Sequence, residues 1–266
     1  MAATRSLRIT VLGSGTSVGV PTIGCDCRVC ASSDPRDKRL RPSVLVTYGD
    51  RNVLIDTSPD FRAQALRAGF RRLDAVLYTH AHADHILGLD DIRPFNYGRR
   101  EQIPIYARPD ALAIIQRVFR YVFDDEAKLP GHPGGIPRLQ PNPIEGDSVD
   151  LFGLRFEVVP LWHGARPIIG FRFGNAAYLT DHSDIPPESL EMLHGLDVLF
   201  LDALRHTPHP THSTIERSLA WVAQLQPRRA FFTHICHDLL HEETNRTLPP
   251  HVQLAYDGLE IAVEED

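Results

Sequence analysis

The chain has 266 residues, 42 % of them apolar and 23 % charged, which suffices for a sizeable core and excludes collagen-like, coiled-coil and wholly disordered classes. No apolar run reaches the roughly 18 residues of a membrane span, and residues 1–6 carry no apolar signal core, so neither a membrane partner nor secretion is expected. The formal charge of −6 argues against a broad face for extended nucleic acid.

Residues 7–12 alternate apolar and polar side chains and are expected to form a strand. The strand runs into Gly13-Ser14-Gly15-Thr16-Ser17, which lacks the lysine and glycine spacing of a phosphate-binding loop and reads as a tight turn. Residues 25–42 are polar and loop-like, and residues 43–48 and 52–56 form a hairpin about Gly49-Asp50. Residues 60–68 read as a helix and residues 75–79 as a short apolar strand ending at His80. A polar segment then runs to about residue 100, followed by a strand at 103–106. A helix near 110–122 sets Leu112, Ile115 and Phe119 on one face.

Residues 124–147, rich in Pro and Gly, are expected to be an irregular excursion. Strands follow at 154–160, 168–173, 177–179 and 198–201. Ser213-Thr214-Ile215-Glu216 has the pattern of a capping box opening a helix to about residue 225. Residues 230–232 lead to His234, and strands at 252–256 and 259–263 come last. Neither a repeat nor a linker is visible, and hairpins are expected to outnumber crossovers. The expected class is α/β of the α+β kind: one domain over 1–266, with two mixed sheets flanked by helices rather than a doubly wound parallel sheet.

Three of the four cysteines are packed into Cys25-Asp26-Cys27-Arg28-Val29-Cys30, with Cys236 far downstream. So few cysteines in so long a chain are unlike a secreted disulfide framework, and Cys25 and Cys27 are too close to bridge easily. Reduced thiols and a cytoplasmic location are expected. The 14 histidines include the cluster Thr79-His80-Ala81-His82-Ala83-Asp84-His85, an H-x-H-x-D-H motif at a strand end. Alternation sets His80 and His82 on one side, and Asp84 and His85 can turn to another, so one motif can serve two adjacent metals. Imidazole and carboxylate accept Zn, Mn, Fe or Ni. His163, Asp181 and His234 each follow an apolar strand, where a rigid scaffold presents functional groups.

This pattern resembles the metallo-β-lactamase superfamily, in the same order along nearly the whole chain. The resemblance implies an αββα sandwich. It also implies two divalent ions, one held by His80, His82 and His163 and one by Asp84, His85 and His234, with Asp181 bridging them. Such a pair can deprotonate a bridging water and neutralise charge on a phosphoryl or carbonyl centre, so Asp84 and Asp181 count as catalytic. Cys25-x-Cys27-x-x-Cys30 with His237 is similar to the PhnP-type phosphodiesterases, where such a set holds a structural zinc. Three thiolates and one imidazole complete a closed tetrahedral set, with Cys236 as the alternative to His237.

The same resemblance implies small, cyclic phosphodiester substrates, such as ribosyl 1,2-cyclic phosphate or 2′,3′-cyclic nucleotides, opened by metal-bound hydroxide attacking phosphorus. It implies His212 as the group that protonates the leaving oxygen, with His206 and His209 as competitors. Asp56 can orient a ligand imidazole, Asp202 can do similar work, and Arg166 can meet a phosphate. A homodimer is allowed. A ribonuclease Z-type nuclease would share the metal set, but its family grips tRNA with a basic arm. Residues 124–147 offer only Lys128 and Arg138 against Asp124, Asp125, Glu126, Glu145 and Asp147. A PqqB-like or non-catalytic metal-binding protein and a lactonase or thioesterase are the other readings.

Overall fold

The computed structural model describes residues 6–98, 101–125 and 135–264. The elements in chain order are β1 (Leu7–Gly13), β2 (Ser43–Tyr48), β3 (Arg51–Ile55), α1 (Phe61–Ala68), β4 (Ala75–Leu77), α2 (Ala83–Ile86) and β5 (Ile103–Ala107). Then come α3 (Pro109–Val118), α4 (Arg120–Phe123), β6 (Leu139–Pro143), β7 (Ser148–Leu151), β8 (Leu154–His163), β9 (Arg166–Phe173) and β10 (Ala176–Leu179). The last are α5 (Pro187–Glu191), β11 (Val198–Asp202), α6 (Ile215–Leu225), β12 (Arg229–Thr233), α7 (His241–Asn245), β13 (Val252–Leu254) and β14 (Glu260–Val263).

The strands form two seven-stranded mixed sheets, ordered β14-β1-β2-β3-β4-β5-β6 and β13-β12-β11-β10-β9-β8-β7. Period-two alternation in β8 turns Leu154, Phe156 and Val158 inward and leaves Arg155 exposed. The inner faces of both sheets meet in one apolar layer that includes Ile9, Val46, Phe171, Tyr178 and Phe200. The outer face of the first sheet packs Leu54 and Val76 with Phe61 of α1 and Ile115 of α3. The outer face of the second packs Leu199 and Leu201 with Trp221 and Leu225 of α6. Helix, sheet, sheet and helix are therefore stacked as four layers, the αββα sandwich.

Parallel pairings are as numerous as antiparallel ones, so hairpins do not outnumber crossovers. Three of the crossovers use helices too short to show a period: α2, α5 and α7 fall in stretches expected to be loops. The helix expected at 110–122 breaks at Phe119, whose backbone leaves the helical region (φ −107°, ψ 43°) before α4. The excursion at 124–147 contains strand β6, which extends the first sheet at its edge, where Pro141 and Pro143 are tolerated. Glu126 and Lys128 of that excursion lie outside the described residues.

The cap of α6 is Thr214, whose side chain accepts from the Arg217 N–H, rather than Ser213. Glu216 then falls one place short of the box and pairs with His206 instead, at 2.6 Å.

Two backbone links join the sheets at one end. The Ile169 N–H of β9 donates to the Thr79 carbonyl beyond β4 (3.3 Å). Past β1, Thr16 N–H donates to the Ile235 carbonyl and Ile235 N–H to the Ser14 carbonyl, both at 3.0 Å. The glycine-rich turn thus packs against the segment that carries His234. A Cβ on Gly13 would overlap the Arg41 carbonyl, so the glycine serves close packing rather than phosphate binding. Buried Asp257 fixes this turn by accepting from the Ser14 N–H and Oγ–H, both at 2.9 Å.

Candidate metal centre

Strands β3, β4, β8, β10, β11 and β12 end at this same edge, and each delivers one or more polar residues there. They are Asp56, the His80–His85 motif, His163, Asp181, Asp202 and His234 in turn. Three of them turn sharply: Asp56, Asp181 and His234 have φ of 65°, 60° and 58°. Non-glycine residues seldom adopt this left-handed region, and such strain concentrates where function fixes the backbone. His82 sits at the N-cap of α2, so the helix swings Asp84 and His85 away from the extended His80-Ala81-His82 run.

Asp84, His85, Asp181 and His234 bring ligand-type atoms within 4.8 Å of one another, and all four are buried. Asp181 Oδ1 lies 3.3 Å from His85 Nε2, and its Oδ2 lies 3.1 Å from His234 Nε2 and 3.9 Å from His80 Nε2. Asp181 is thus the residue common to both halves. The rings of His80, His82 and His163 form the other half, with centroids 4.5 Å (His80–His82) and 5.0 Å (His82–His163) apart.

The free nitrogens are dictated by what holds the others. His85 Nδ1 donates to Asp56 Oδ2 at 2.8 Å, and His163 Nδ1 donates to the Asp181 carbonyl at 2.6 Å. Thr79 Oγ1 donates to Asp56 Oδ2 (2.8 Å) and accepts from His80 Nδ1 (3.0 Å). Among the described residues, the Nε2 atoms of His80, His85 and His234 and Oδ2 of Asp84 are buried without hydrogen-bond partners. Ligands about 2.0–2.2 Å from an ion stand about 3–3.6 Å apart, so these orphaned atoms fit divalent cations.

Electrostatics agree. Burial pushes the His80, His82 and His163 imidazoles below their ordinary range, toward the neutral form a ligand needs. Burial opposes charge on His85 and His234 too, but the neighbouring carboxylates, Asp181 foremost, together outweigh it, and His234 is carried to about 10. Without cations, protons balance the buried carboxylates.

Asp56 is wholly buried and accepts three hydrogen bonds: Thr79 N–H on Oδ1 (2.9 Å), and Thr79 Oγ1 and His85 Nδ1 on Oδ2. Asparagine would keep the shape but offer one acceptor oxygen to these donors. Asp56→Asn is expected to weaken ion retention about 10–100-fold in a chelator titration, with the fold intact by circular dichroism. Unchanged retention would show that Asp56 only shapes the turn.

His212 lies beside this cluster: its Nδ1 donates to buried Asp202 Oδ2 at 2.8 Å, and its ring stacks on His234 at 4.5 Å between centroids. Its two competitors sit otherwise. His206 is exposed and paired with Glu216, while His209 stands 5.0 Å behind His212. Asp202 also lies 3.7 Å from His234 Nδ1. His182 faces away from the cluster, accepting from the Asp202 N–H and packing edge-on against Trp221. Arg166 lies at the turn between β8 and β9 and is exposed. Thr79 had no sequence signal beyond its place before the motif, and Asp257 none beyond an Asp-Gly before a strand.

At one flank Cys25, Cys27, Cys30 and His237 converge, with Sγ to Nδ1 distances of 3.2, 3.5 and 3.6 Å. A tetrahedral zinc with metal–sulfur near 2.3 Å and metal–nitrogen near 2.0 Å has edges of about 3.5 Å, so this set fits the ion. The Cys30 N–H on Cys27 Sγ leads the effects that bring that thiol down to about 6. Cys236 stands outside the set, and burial pushes its thiol up to about 12.

A solved structure of a diphosphatase from the PhnP family is 53 % identical to this chain, with a TM-score of 0.90 over 97 % of each chain. The octanoyltransferase of Porphyromonas gingivalis is 42 % identical over 263 residues, 97 % of this chain and 52 % of that one. The ribonuclease Z of Bradyrhizobium diazoefficiens is 31 % identical over 153 residues, 55 % of this chain and 48 % of that one. The chain spans about half the length of these two curated relatives. The family model for the β-lactamase superfamily domain matches residues 51–235, from β3 to just beyond His234. The chain belongs to the β-lactamase superfamily.

Proposed function

We propose that this protein is a dinuclear metal-dependent phosphodiesterase for small, including cyclic, phosphodiesters. One observation carries the reading: orphaned buried ligand atoms of both halves of the cluster converge beside a His212–Asp202 pair. The likeness to a PhnP-family diphosphatase supports phosphorus rather than carbonyl as the centre attacked. His80, His82 and His163 would hold one divalent ion and Asp84, His85 and His234 the other, with Asp181 between. Zinc and manganese suit these ligands, as do iron and nickel. Ions held there supply Lewis acidity and an activated water.

The chain's own groups do the rest. Asp56 and Thr79 fix the tautomers of His85 and His80. Asp202, wholly buried, holds His212 Nδ1 and leaves Nε2 as the nitrogen that gives a proton to the leaving oxygen. Arg166 is placed at the mouth to meet an anionic oxygen. Cys25, Cys27, Cys30 and His237 would hold a structural zinc that fixes the loop bearing His234. The formal charge of −6 keeps tRNA a weaker candidate than a small ester.

The test is metal analysis of purified protein with a panel of phosphodiesters, diphosphates, lactones and thioesters. About three ions per chain and turnover confined to phosphorus esters are expected. Asp84→Ala is expected to lose one active-site ion and nearly all turnover. An Asp84→Ala protein with full diesterase activity and both ions would sink the reading, as would hydrolysis of lactones or thioesters alone.

A further inference from the structure

Beside the ligand cluster lies a cavity of about 390 Å³ to which the proposed reaction assigns no role. His80 and His82 form its inner wall. Ala111 and Ile114 of α3 face Pro167, Ile168 and Ile169 of β9 across it. Two cations stand at its edge. Arg108, just before α3, is fixed by Nη1 donating to the Ile144 and Gly146 carbonyls at 3.0 and 3.1 Å. Arg166 is exposed, and its guanidinium has no ion-pair partner among the described residues. Between the imidazole wall and the rim the lining is thus mainly apolar, and the rim is positive apart from Asp110.

A second cavity of about 420 Å³ contains His212 with Trp162 and His209. The turn between β8 and β9 divides the two. Gly164 and Ala165 line the second cavity, and Arg166 and Pro167 line the first. His163 stands on the boundary, its ring 5.0 Å from His82 and 4.8 Å from His212 between centroids. A phosphoryl group at the cluster therefore has two exits. His212 marks the one taken by the leaving oxygen.

We propose that the first cavity is a specificity pocket for an apolar arm, aromatic or branched aliphatic, that stays bonded to phosphorus while the other group leaves. The direction of the arms rests on the role given to His212 above, whereas the apolar character of the pocket rests on its walls. The negative phosphoryl oxygens lie toward the arginine rim, and the arm leaves water for Ile114, Ile168 and Ile169. Burying a phenyl-sized arm there favours binding by about tenfold or more over a methyl group.

The probes are phosphonates, whose carbon–phosphorus bond mimics the retained arm and is not cleaved. Calorimetry on the metal-loaded protein is expected to show phenylphosphonate and cyclohexylphosphonate binding at least about tenfold tighter than methylphosphonate. Ile114→Trp fills the pocket from α3, and Pro167→Phe fills it from β9. Either is expected to bring that ratio near one while methylphosphonate affinity stays within about twofold. In parallel, the methyl, phenyl and cyclohexyl esters of 4-nitrophenyl phosphate report turnover with a common leaving group. The preference is expected in KM more than in kcat. Equal affinity for the three phosphonates overturns the pocket, as does a preference that survives in both filled variants. Selective phosphonate binding without turnover of any ester supports the pocket and counts against the phosphodiesterase reading instead.

Discussion

A Cys27→Ser protein is expected to purify with one ion fewer per chain and to unfold about 10 °C lower, since a few kcal/mol shift the midpoint of a chain this size by that much. The reason is how little apolar burial holds the cysteine loop. The loop has only a small apolar cluster of Val20, Val29 and Cys30, with Leu240 and two half-buried cysteines against it, and Ile23 at its tip is 96 % exposed. The ion would join this loop to His237, about two hundred residues away in sequence, and closing so long a loop removes much freedom from the unfolded chain. His237 is three residues past His234, and Ile235 between them bonds to Ser14 and Thr16. Activity is therefore expected to fall with stability. Differential scanning calorimetry with metal analysis checks both, and a variant that keeps its third ion and melts within about 2 °C of the parent refutes the assignment.

His212→Gln is expected to lower kcat about 10²–10⁴-fold on esters with an alkoxide leaving group, the usual contribution of a positioned general acid. The loss on a 4-nitrophenyl ester is expected to be small, because nitrophenolate departs without a proton. The contrast follows from the 2.8 Å bond between His212 Nδ1 and Asp202, which commits the ring's other nitrogen to proton transfer. A steady-state comparison of the two substrate classes decides it. Equal loss on both would make His212 a group that positions substrate or ion rather than an acid. His209 is placed to serve as the control, since His209→Gln leaves the Asp202 bond untouched.

The strand-end motif at His80 was legible because four ligand-capable side chains within six residues have few other uses. The sandwich was legible in outline because residues 7–12 alternate with period two and the other strands read as short apolar runs bounded by turn residues. The short helices were not. Four or five residues, as in α2 and α7, hold barely one turn and cannot display a 3.6-residue pattern. Strand β6 was hidden by its prolines, which read as irregular chain and are admitted because β6 lies at an edge. At the site, residue type announced the candidate ligands and, in Asp56 and Asp202, some of their supports, but not all. Thr79, itself held by Asp56, orients His80, and Asp257 fixes the turn under His234; both depend on contacts between distant segments. The preference for His237 over Cys236 rests on the resemblance, because spacing alone does not separate two residues that both lie close to His234; in the structure His237 stands within the set.

The left-handed corners at Asp56, Asp181 and His234 have a bearing on how this chain can change. Each such residue costs about 1 kcal/mol or more in folding, and two buried carboxylates close together add to that. An asparagine at 181 sits readily in that backbone region. In the metal-free chain, however, it takes away the carboxylate that pairs with His85 and His234, so what the backbone gains the buried imidazoles lose. The corner at 181 is therefore held by that pairing as well as by the apolar layer between the sheets.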